Sequence, residues 1–151
     1  MKKRTKADKI GDCYTAFKCI KEGKPINRDG AKDGSVATHS VVPVSDLPEA
    51  DVKEVCLKWL KHRGVFCAGH DCGSGDFGFG YATYGIKDSG DIHGMLKYHG
   101  GKHFELELKK GTGGRQSKGQ QKRMRNVRAN NGLYFIVHGV EELEYYMGEL
   151  V

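Results

Sequence analysis

The spacing of apolar residues predicts helices in four places. The clearest apolar stripe starts after Pro48 and ends before Gly64, and it consists of Val52, Val55, Cys56, Trp59 and Leu60. Weaker patterns predict a short helix in IGDCYTAFKCI near the N-terminus and an amphipathic helix in VEELEYYMGEL at the C-terminus. A further helix should begin at the S-x-x-Q capping box of Ser117 and Gln120 and end at Asn131-Gly132.

Runs of alternating or β-branched residues predict strands between these helices. VFCAG is expected to be a short buried strand, and LYFIVHG a strand before the last helix. DIHGMLKYHGGKHFELELK should form two strands joined by a turn at Gly100-Gly101, preceded by a glycine-rich loop or irregular strand. From Leu47 onward the order is helix, strand, strand, strand, helix, strand, helix. This order predicts an α/β sandwich around a small mixed sheet.

The chain divides at this point into two predicted parts. Residues 47–151 should form the folded domain, and residues 1–46 a basic, extended arm. In that arm NRDGAKDGSVATHS is rich in turn residues, and SVVPVSDLP is punctuated by proline. A chain of 151 residues with 38% apolar content is long enough for one compact domain with a modest core.

Cysteine usage and hydropathy bear on the compartment. No apolar stretch approaches the length of a membrane span, and the N-terminus lacks the apolar core of a secretory signal. Five cysteines without a CxxC pair fit a reducing environment, so we expect an intracellular protein. The cytoplasm of a bacterial or phage-infected host cell is the expected location. Cys67, His70 and Cys72 offer a set of zinc ligands. Their spacing is irregular and a second ligand pair is missing, so free thiols are the preferred interpretation.

The most informative chemistry lies in the strand HFELELK. Alternate residues of a strand share a face, so Glu105, Glu107 and Lys109 should point to one side. Asp91 opens the preceding strand, and strand pairing could bring its carboxylate beside that of Glu107. Two converging carboxylates suit Mg²⁺, and a lysine about 7 Å farther along the strand can reach a phosphate without occupying the metal position. The alternative is an exposed strand face that carries ordinary charges.

The basic segment that follows weighs against this alternative. The net charge of the chain is +6, and the segment from Lys109 to Arg128 contains eight Lys or Arg residues and no Asp or Glu. A solvated helix face normally mixes both signs, whereas a dense run of cations suits a polyanion. Both features together indicate an enzyme that uses metal ions on a nucleic acid.

Several motifs in this region resemble a known family. SGDIHGML, HFELELKKGTGGRQSKGQ and NNGLYFIVHGVEEL look like the virus-type replication-repair nuclease (VRR-NUC) domain of the PD-(D/E)XK superfamily. The resemblance extends from about Leu47 to Leu143. It implies a restriction-endonuclease-like α/β fold, a Mg²⁺ or Mn²⁺ cofactor, and hydrolysis of DNA phosphodiester bonds.

The same resemblance implies roles for particular residues. Asp91 and Glu107, with the backbone carbonyl of Leu108, would be metal ligands, and Lys109 the catalytic lysine. Gln120 would be the supporting glutamine, although simple helix capping explains it equally well. Where the family has a glutamate in its first helix this chain has Asp51, an auxiliary ligand with a shorter side chain. Three nearby residues are rivals for these roles, namely Asp76, Asp88 and His93.

The expected activity is a metal-dependent DNA endonuclease, selective for branched or junction DNA and acting as a homodimer. The predicted nucleic-acid contacts are Lys110, Arg115, Lys118, Lys122, Arg123 and Arg125. One alternative is a catalytically silent nucleic-acid-binding module. Another is a nuclease that acts on single strands or RNA.

Overall fold

The structure of the chain is a computed structural model that describes residues 6–23, 33–76, 78 and 80–151. Its helices are α1 (Lys6–Lys21), α2 (Glu49–His62), α3 (Lys118–Ala129) and α4 (Val140–Met147), with a short 3₁₀ helix at Lys97–His99. The strands are β1 (Val36–Thr38), β2 (Phe66–Gly69), β3 (Gly73–Asp76), β4 (Tyr81–Tyr84), β5 (Ile92–Leu96), β6 (Lys102–Leu108), β7 (Gly114–Gln116) and β8 (Leu133–Val137). In the described part of the chain, no helix combines the length and the apolar character needed to cross a membrane.

The centre of the fold is a four-stranded sheet in the order β2-β5-β6-β8. β5 pairs antiparallel with both β2 and β6, whereas β6 and β8 are parallel. The sheet is therefore small and mixed. The predicted order of elements, from α2 through β2, β5, β6, α3 and β8 to α4, is confirmed, and the chain has a mixed α/β fold.

The hydrophobic core lies on one face of this sheet. Phe104, Leu106 and Leu108 alternate along β6 and are fully buried, together with the α2 residues Val52, Cys56 and Leu60. α4 closes the same face with Leu143 and Met147. Each such leucine stabilises the fold by about 1.5–3 kcal/mol through burial. Because the core occupies this face of the sheet, the charged residues of β6 lie on the other face, which points towards α3.

α2 begins and ends where its sequence predicts. Pro48 stands before its first turn, and Gly64 follows it with a φ of +70°, a left-handed conformation that favours glycine. α3 starts at the predicted capping box, in which the Ser117 hydroxyl accepts from the Gln120 N–H and the Gln120 side chain accepts from the Ser117 N–H.

Two sequence predictions about strands were wrong. Among the described residues only β5 pairs with β2, so β2 is an edge strand and not a buried one, and Phe66 is 78% exposed. The glycine-rich segment was expected to be a loop or irregular strand, but it forms a hairpin of β3 and β4. Glycines in such a segment hide the alternation by which strands are recognised.

The segment before α2 is joined to the domain. β1 pairs antiparallel with β7 as a second small sheet, although β1 lies in the stretch that is rich in turn residues. The Val41 N–H donates to Glu142 at 2.9 Å, and the Ser45 hydroxyl donates to Glu141 at 2.8 Å. The predicted boundary between residues 46 and 47 therefore lies within hydrogen-bonded structure. The predicted helix at the N-terminus is confirmed as α1.

Candidate active site

The charged face of β6 is buried. Glu105, Glu107 and Lys109 are only 0%, 1% and 7% exposed, with α3 lying over them. This excludes the exposed strand face as an interpretation of the three charges. Burying charged groups is costly unless each one is paired and hydrogen-bonded. The partners of these side chains therefore define what the site is.

Asp91 lies at the Glu107 end of the strand, as the sequence predicts. Its N–H donates to the Leu106 carbonyl at 2.7 Å, and its Oδ2 accepts from the Leu108 N–H at 2.7 Å. The register pairs Ile92 with Leu106, which places Asp91 opposite Glu107. The Leu108 peptide is consequently held against the Asp91 carboxylate.

Glu107 has three side-chain partners. Its Oε1 accepts from Lys109 Nζ at 2.6 Å and from the Gln120 amide, and its Oε2 accepts from the Tyr134 hydroxyl at 3.0 Å. The pKa of Glu107 is raised to about 7, mainly by burial and in part by the nearby charge of Asp91, against the opposing effect of Lys109 and Tyr134. The site is therefore short of positive charge when Glu107 is ionised.

The Lys109 side chain reaches Glu107 because the backbone at Gly114 leaves space for the lysine methylene groups. A Cβ atom at Gly114 would lie 2.8 Å from the Lys109 Cδ, so only glycine fits at that point of β7. Glu107 fixes the ammonium group on the same side of the strand, at the end where Asp91 lies. Gly114 of the basic segment thus serves the packing of this lysine.

Gln120 combines both of its predicted roles. Its Oε1 accepts from the Ser117 N–H, which completes the capping box, and its Nε2 donates to Glu107. Since the oxygen is used by the backbone, the amide must present its nitrogen to the carboxylate. The start of α3 and the position of Glu107 are thereby connected through one side chain.

Glu105 belongs to a separate network on the same face. Arg123 donates to it through Nε and Nη2, and the Gly90 N–H and His103 Nε2 contact it at 3.1 Å. Burial alone would raise the pKa of Glu105, but the bonds from Arg123, Gly90 and His103 outweigh it and lower the pKa to about 2. Glu105 is therefore a permanent anion that is already neutralised.

The predicted nucleic-acid contacts fall into two groups. Lys110, Lys118, Lys122 and Arg125 are exposed, as phosphate contacts must be. Arg123 is committed to Glu105, and Arg115 donates to the Ser35 hydroxyl and carbonyl at 2.8 Å. Both arginines therefore have partners within the fold, and Arg115 is also exposed, so their predicted contact with phosphate stays a prediction. Sequence alone cannot separate the groups, since all six residues lie in one basic run.

No described contact joins the remaining predicted residues to the carboxylates of Asp91 or Glu107. Asp51 is exposed on the first turn of α2, and no described contact links it to Asp91 or Glu107. Asp88 lies against the first turn of α3, where its carboxylate occupies the space that a Cβ of Gly119 would need. Asp76 is exposed in β3, and His93 contacts the Gly90 carbonyl through Nε2 at 3.0 Å. The role predicted for Asp51 stays a prediction.

Two histidines and Glu105 form the one group of three potential metal ligands among the described residues. Ligand atoms of His93, His103 and Glu105 lie within 4.8 Å of one another. Arg123 already supplies a cation to Glu105, so a metal ion would have to displace it. Cys67 and Cys72 are free thiols, and His70 Nε2 accepts from the Ile86 N–H.

Tyr134 is the contributor that sequence reasoning missed. Its ring is buried in β8, and its hydroxyl reaches Glu107 because the parallel register pairs Glu105 with Tyr134. The alternation of LYFIVHG already places Tyr134 and Ile136 on one face. The face that they share with Glu107 follows only from the register of the sheet.

Comparison of the chain with models of protein families, with curated proteins and with solved structures found no match in any of the three.

Proposed function

We propose that the protein is a divalent-metal-dependent nuclease that hydrolyses DNA phosphodiester bonds, with a fold of the PD-(D/E)XK type. The observation that carries the proposal is the pair formed by Asp91 and Glu107. One of these two neighbouring carboxyl groups is buried and has a pKa raised to about 7. A buried site with excess negative charge is one that a cation would stabilise.

The topology supports the assignment of the fold. Asp91 and the Glu-x-Lys motif lie on neighbouring antiparallel strands, and the next helix leads into β8, which is parallel to β6. This arrangement brings the residues of the motifs that resemble the VRR-NUC family to one end of one face of the sheet. The support therefore comes from placement as well as from the order of motifs along the chain.

The donor set fits a hard divalent cation. Asp91 Oδ1 and the Glu107 oxygens are carboxylate ligands with lone pairs left to bind an ion, and the Leu108 peptide lies next to these two residues. Asp91, Glu107 and the Leu108 carbonyl would hold the ion. When bound, such an ion supplies Lewis acidity and lowers the pKa of a coordinated water.

The chain's own residues would orient and stabilise the reactants. Lys109 Nζ, held at 2.6 Å from Glu107, would place a positive charge beside the phosphate, where negative charge increases during hydrolysis. Gln120 and Tyr134 fix the carboxylate of Glu107 from two sides. A carboxylate held in this way needs little reorganisation when the substrate binds.

DNA is the proposed substrate because exposed cations lie next to the site. Lys118 and Lys122 lie in the first half of α3, beginning two residues before Gln120, and Lys110 directly follows Lys109. Contacts of this type track phosphates without reading sequence. Selectivity for branched or junction DNA is part of the proposal and rests on the family resemblance.

The test compares cleavage of duplex, flap, single-stranded and four-way junction DNA with and without Mg²⁺. Glu107→Gln should lose metal binding and cleavage together. Lys109→Ala should still bind metal and DNA but lose about 10² or more in single-turnover rate, roughly 3 kcal/mol of transition-state stabilisation. Lys97→Ala, an exposed lysine on the 3₁₀ helix, is the control and should retain full rate.

Three outcomes would contradict the proposal in different ways. Full activity of both site variants would show that this strand is not the active site. Binding of DNA without cleavage on any substrate would favour the silent binding module. Cleavage restricted to RNA or single strands would change the substrate and leave the site assignment in place.

A further inference from the structure

A polar cavity lies at the opposite end of α3 from Glu107. It has a volume of about 530 Å³, which is within the range of small-molecule sites. Its walls come from the start of β6 and the turn before it, and from the second half of α3 and the residues that follow it, including Lys102, His103, Asn126 and Asn131. We infer that this cavity binds a phosphodiester segment of the same nucleic acid, several nucleotides from the position of cleavage. The inference rests on the proposed function.

The lining has the chemistry of a phosphate and nucleoside site. Lys102 and Arg123 are its cations, and two histidines and three asparagines supply further polar groups, whereas no carboxylate is among its lining residues. Arg123 is already paired with Glu105, so Lys102 carries the charge that is not compensated. Asparagine amides both donate and accept, as contacts with sugars and bases require.

The helix end does not oppose an anion here. A helix C-terminus normally disfavours negative charge by about 0.3–1 kcal/mol through its exposed carbonyls. In α3 those carbonyls already accept from the Asn130, Asn131 and Gly132 N–H groups. Lys102 supplies a positive charge that opposes what remains of this effect.

The separation of the two sites follows from the elements that join them. Gln120 contacts Glu107, while Asn130 lines the cavity, and ten helical residues span about 15 Å. The five-residue step from Lys102 to Glu107 along β6 gives about 17 Å. With a rise of about 3.4 Å per nucleotide of a duplex strand, this corresponds to about four or five base pairs.

A chain of hydrogen bonds also connects the cavity to the end of the sheet where Asp91 lies. Arg123 lines it and binds Glu105, and Glu105 accepts from the N–H of Gly90, the residue before Asp91. A phosphate that binds Arg123 would therefore affect, through Glu105, the backbone of Gly90 next to the proposed metal ligand Asp91.

The experiment measures binding of labelled duplexes of about 6 to 20 base pairs in EDTA by fluorescence anisotropy. Affinity of the wild type should rise in a step once a duplex spans both sites. Lys102→Ala should lose this step, with affinity for the longer duplexes reduced about tenfold. Lys102→Arg should keep it, and so should Lys97→Ala, which removes the same charge from an exposed position outside the cavity.

The outcomes separate this inference from the proposed function. If Lys102→Ala keeps the step, or if Lys97→Ala loses it equally, the cavity is not a nucleic-acid site, while Mg²⁺-dependent cleavage by the wild type would still uphold the nuclease. If the wild type neither binds nor cleaves DNA, the proposed function fails and this inference fails with it.

Discussion

Glu105 and Glu107 are two residues apart on one strand, yet their surroundings move their pKa values in opposite directions. Arg123, Gly90 and His103 lower the pKa of Glu105 to about 2, whereas burial beside Asp91 raises the pKa of Glu107 to about 7. A carboxylate whose charge is already compensated by its neighbours stabilises the fold, whereas one whose charge is poorly compensated is suited to bind a cation. The difference supports the proposal that Glu105 stabilises the fold and that Glu107 takes part in the chemistry.

Metal binding should depend on pH through Glu107. This carboxyl group holds its proton more tightly in the folded chain, so its ionisation makes the metal-free fold less stable as the pH rises from about 4.5 to about 7. Mg²⁺ must displace that proton, so its apparent affinity should rise with pH up to about 7 and then level off. Calorimetry at several pH values, in buffers of different ionisation enthalpy, measures affinity and proton release. Constant affinity from pH 5.5 to 7.5 would contradict this prediction.

Loss of the Arg123 side chain should destabilise the fold. Arg123→Ala leaves the fully buried Glu105 without its main cation, and breaking such a pair costs about 3–5 kcal/mol. The stability that Glu105 contributes is present above its ordinary pKa of 4.5 and is lost as the pH falls towards 2. Urea unfolding at pH 7 and pH 3 should therefore show a smaller difference between variant and wild type at the lower pH.

Arg125→Ala is the matched control for that measurement. Arg125 lies on the same helix but is exposed, and its removal should change the free energy of unfolding by about 0.5 kcal/mol or less. Equal destabilisation by both variants would show that Arg123 has no special role in the fold.

At the scale of elements, α3 has a buried side that holds the site and an exposed side that carries free cations. Gln120, Arg123 and Val127 face the sheet, while Lys118, Lys122 and Arg125 are exposed. The hydrogen bonds of Gln120 and Arg123 account for the orientation of the helix. The exposed cations have no comparable structural role among the described contacts.

Replacement of Lys122 and Arg125 by alanine should flatten the salt dependence of DNA binding. Each lost phosphate contact should reduce the slope of log K against log salt by about 0.9 for duplex DNA. The weakening should be similar for all sequences, because phosphates carry no sequence information. Lys61→Ala on α2 is a control of equal charge, and an unchanged slope in the double variant would show that the basic run serves solubility.

The elements that could be predicted are those with local signals. The capping box marks the start of α3, and the alternation of HFELELK places Glu107 and Lys109 on one face of the sheet. Pairing with the preceding strand brings Asp91 to the same end, as expected. The three-residue strands β1 and β7 lack such a signal, because each exists only through its distant partner. The contacts of Tyr134 and Arg123 depend in the same way on strand register and helix docking.

At the scale of the whole molecule, α1 presents unpaired apolar side chains. Ile10, Tyr14, Phe17 and Ile20 are between 62% and 72% exposed. The predicted homodimer would give these residues a partner, and two active sites related by a two-fold axis suit symmetric cleavage of a junction. Trp59 no longer supports this prediction, because it is half-buried with the Arg63 guanidinium 4.2 Å from its ring.

Light scattering at micromolar concentration should report a dimer for the wild type. Tyr14→Ser combined with Phe17→Ser should shift it to a monomer, whereas Tyr145→Ser, equally exposed on α4, should leave it a dimer. A wild type that is monomeric both free and bound to DNA would contradict the predicted homodimer. The nuclease proposal would be unaffected.

The pairing of β1 with β7 has a consequence for the order in which a growing chain acquires its structure. Thr38 bonds His138, 100 residues later, and Val41 bonds Glu142, 101 residues later. At about 5–20 residues per second, the ribosome needs roughly 5–20 s to add that length. Until then β1 lacks part of its support, and so does its partner β7, whose Gly114 packs under Lys109. The surroundings of the lysine are therefore completed only after His138 and Glu142 have been added to the growing chain.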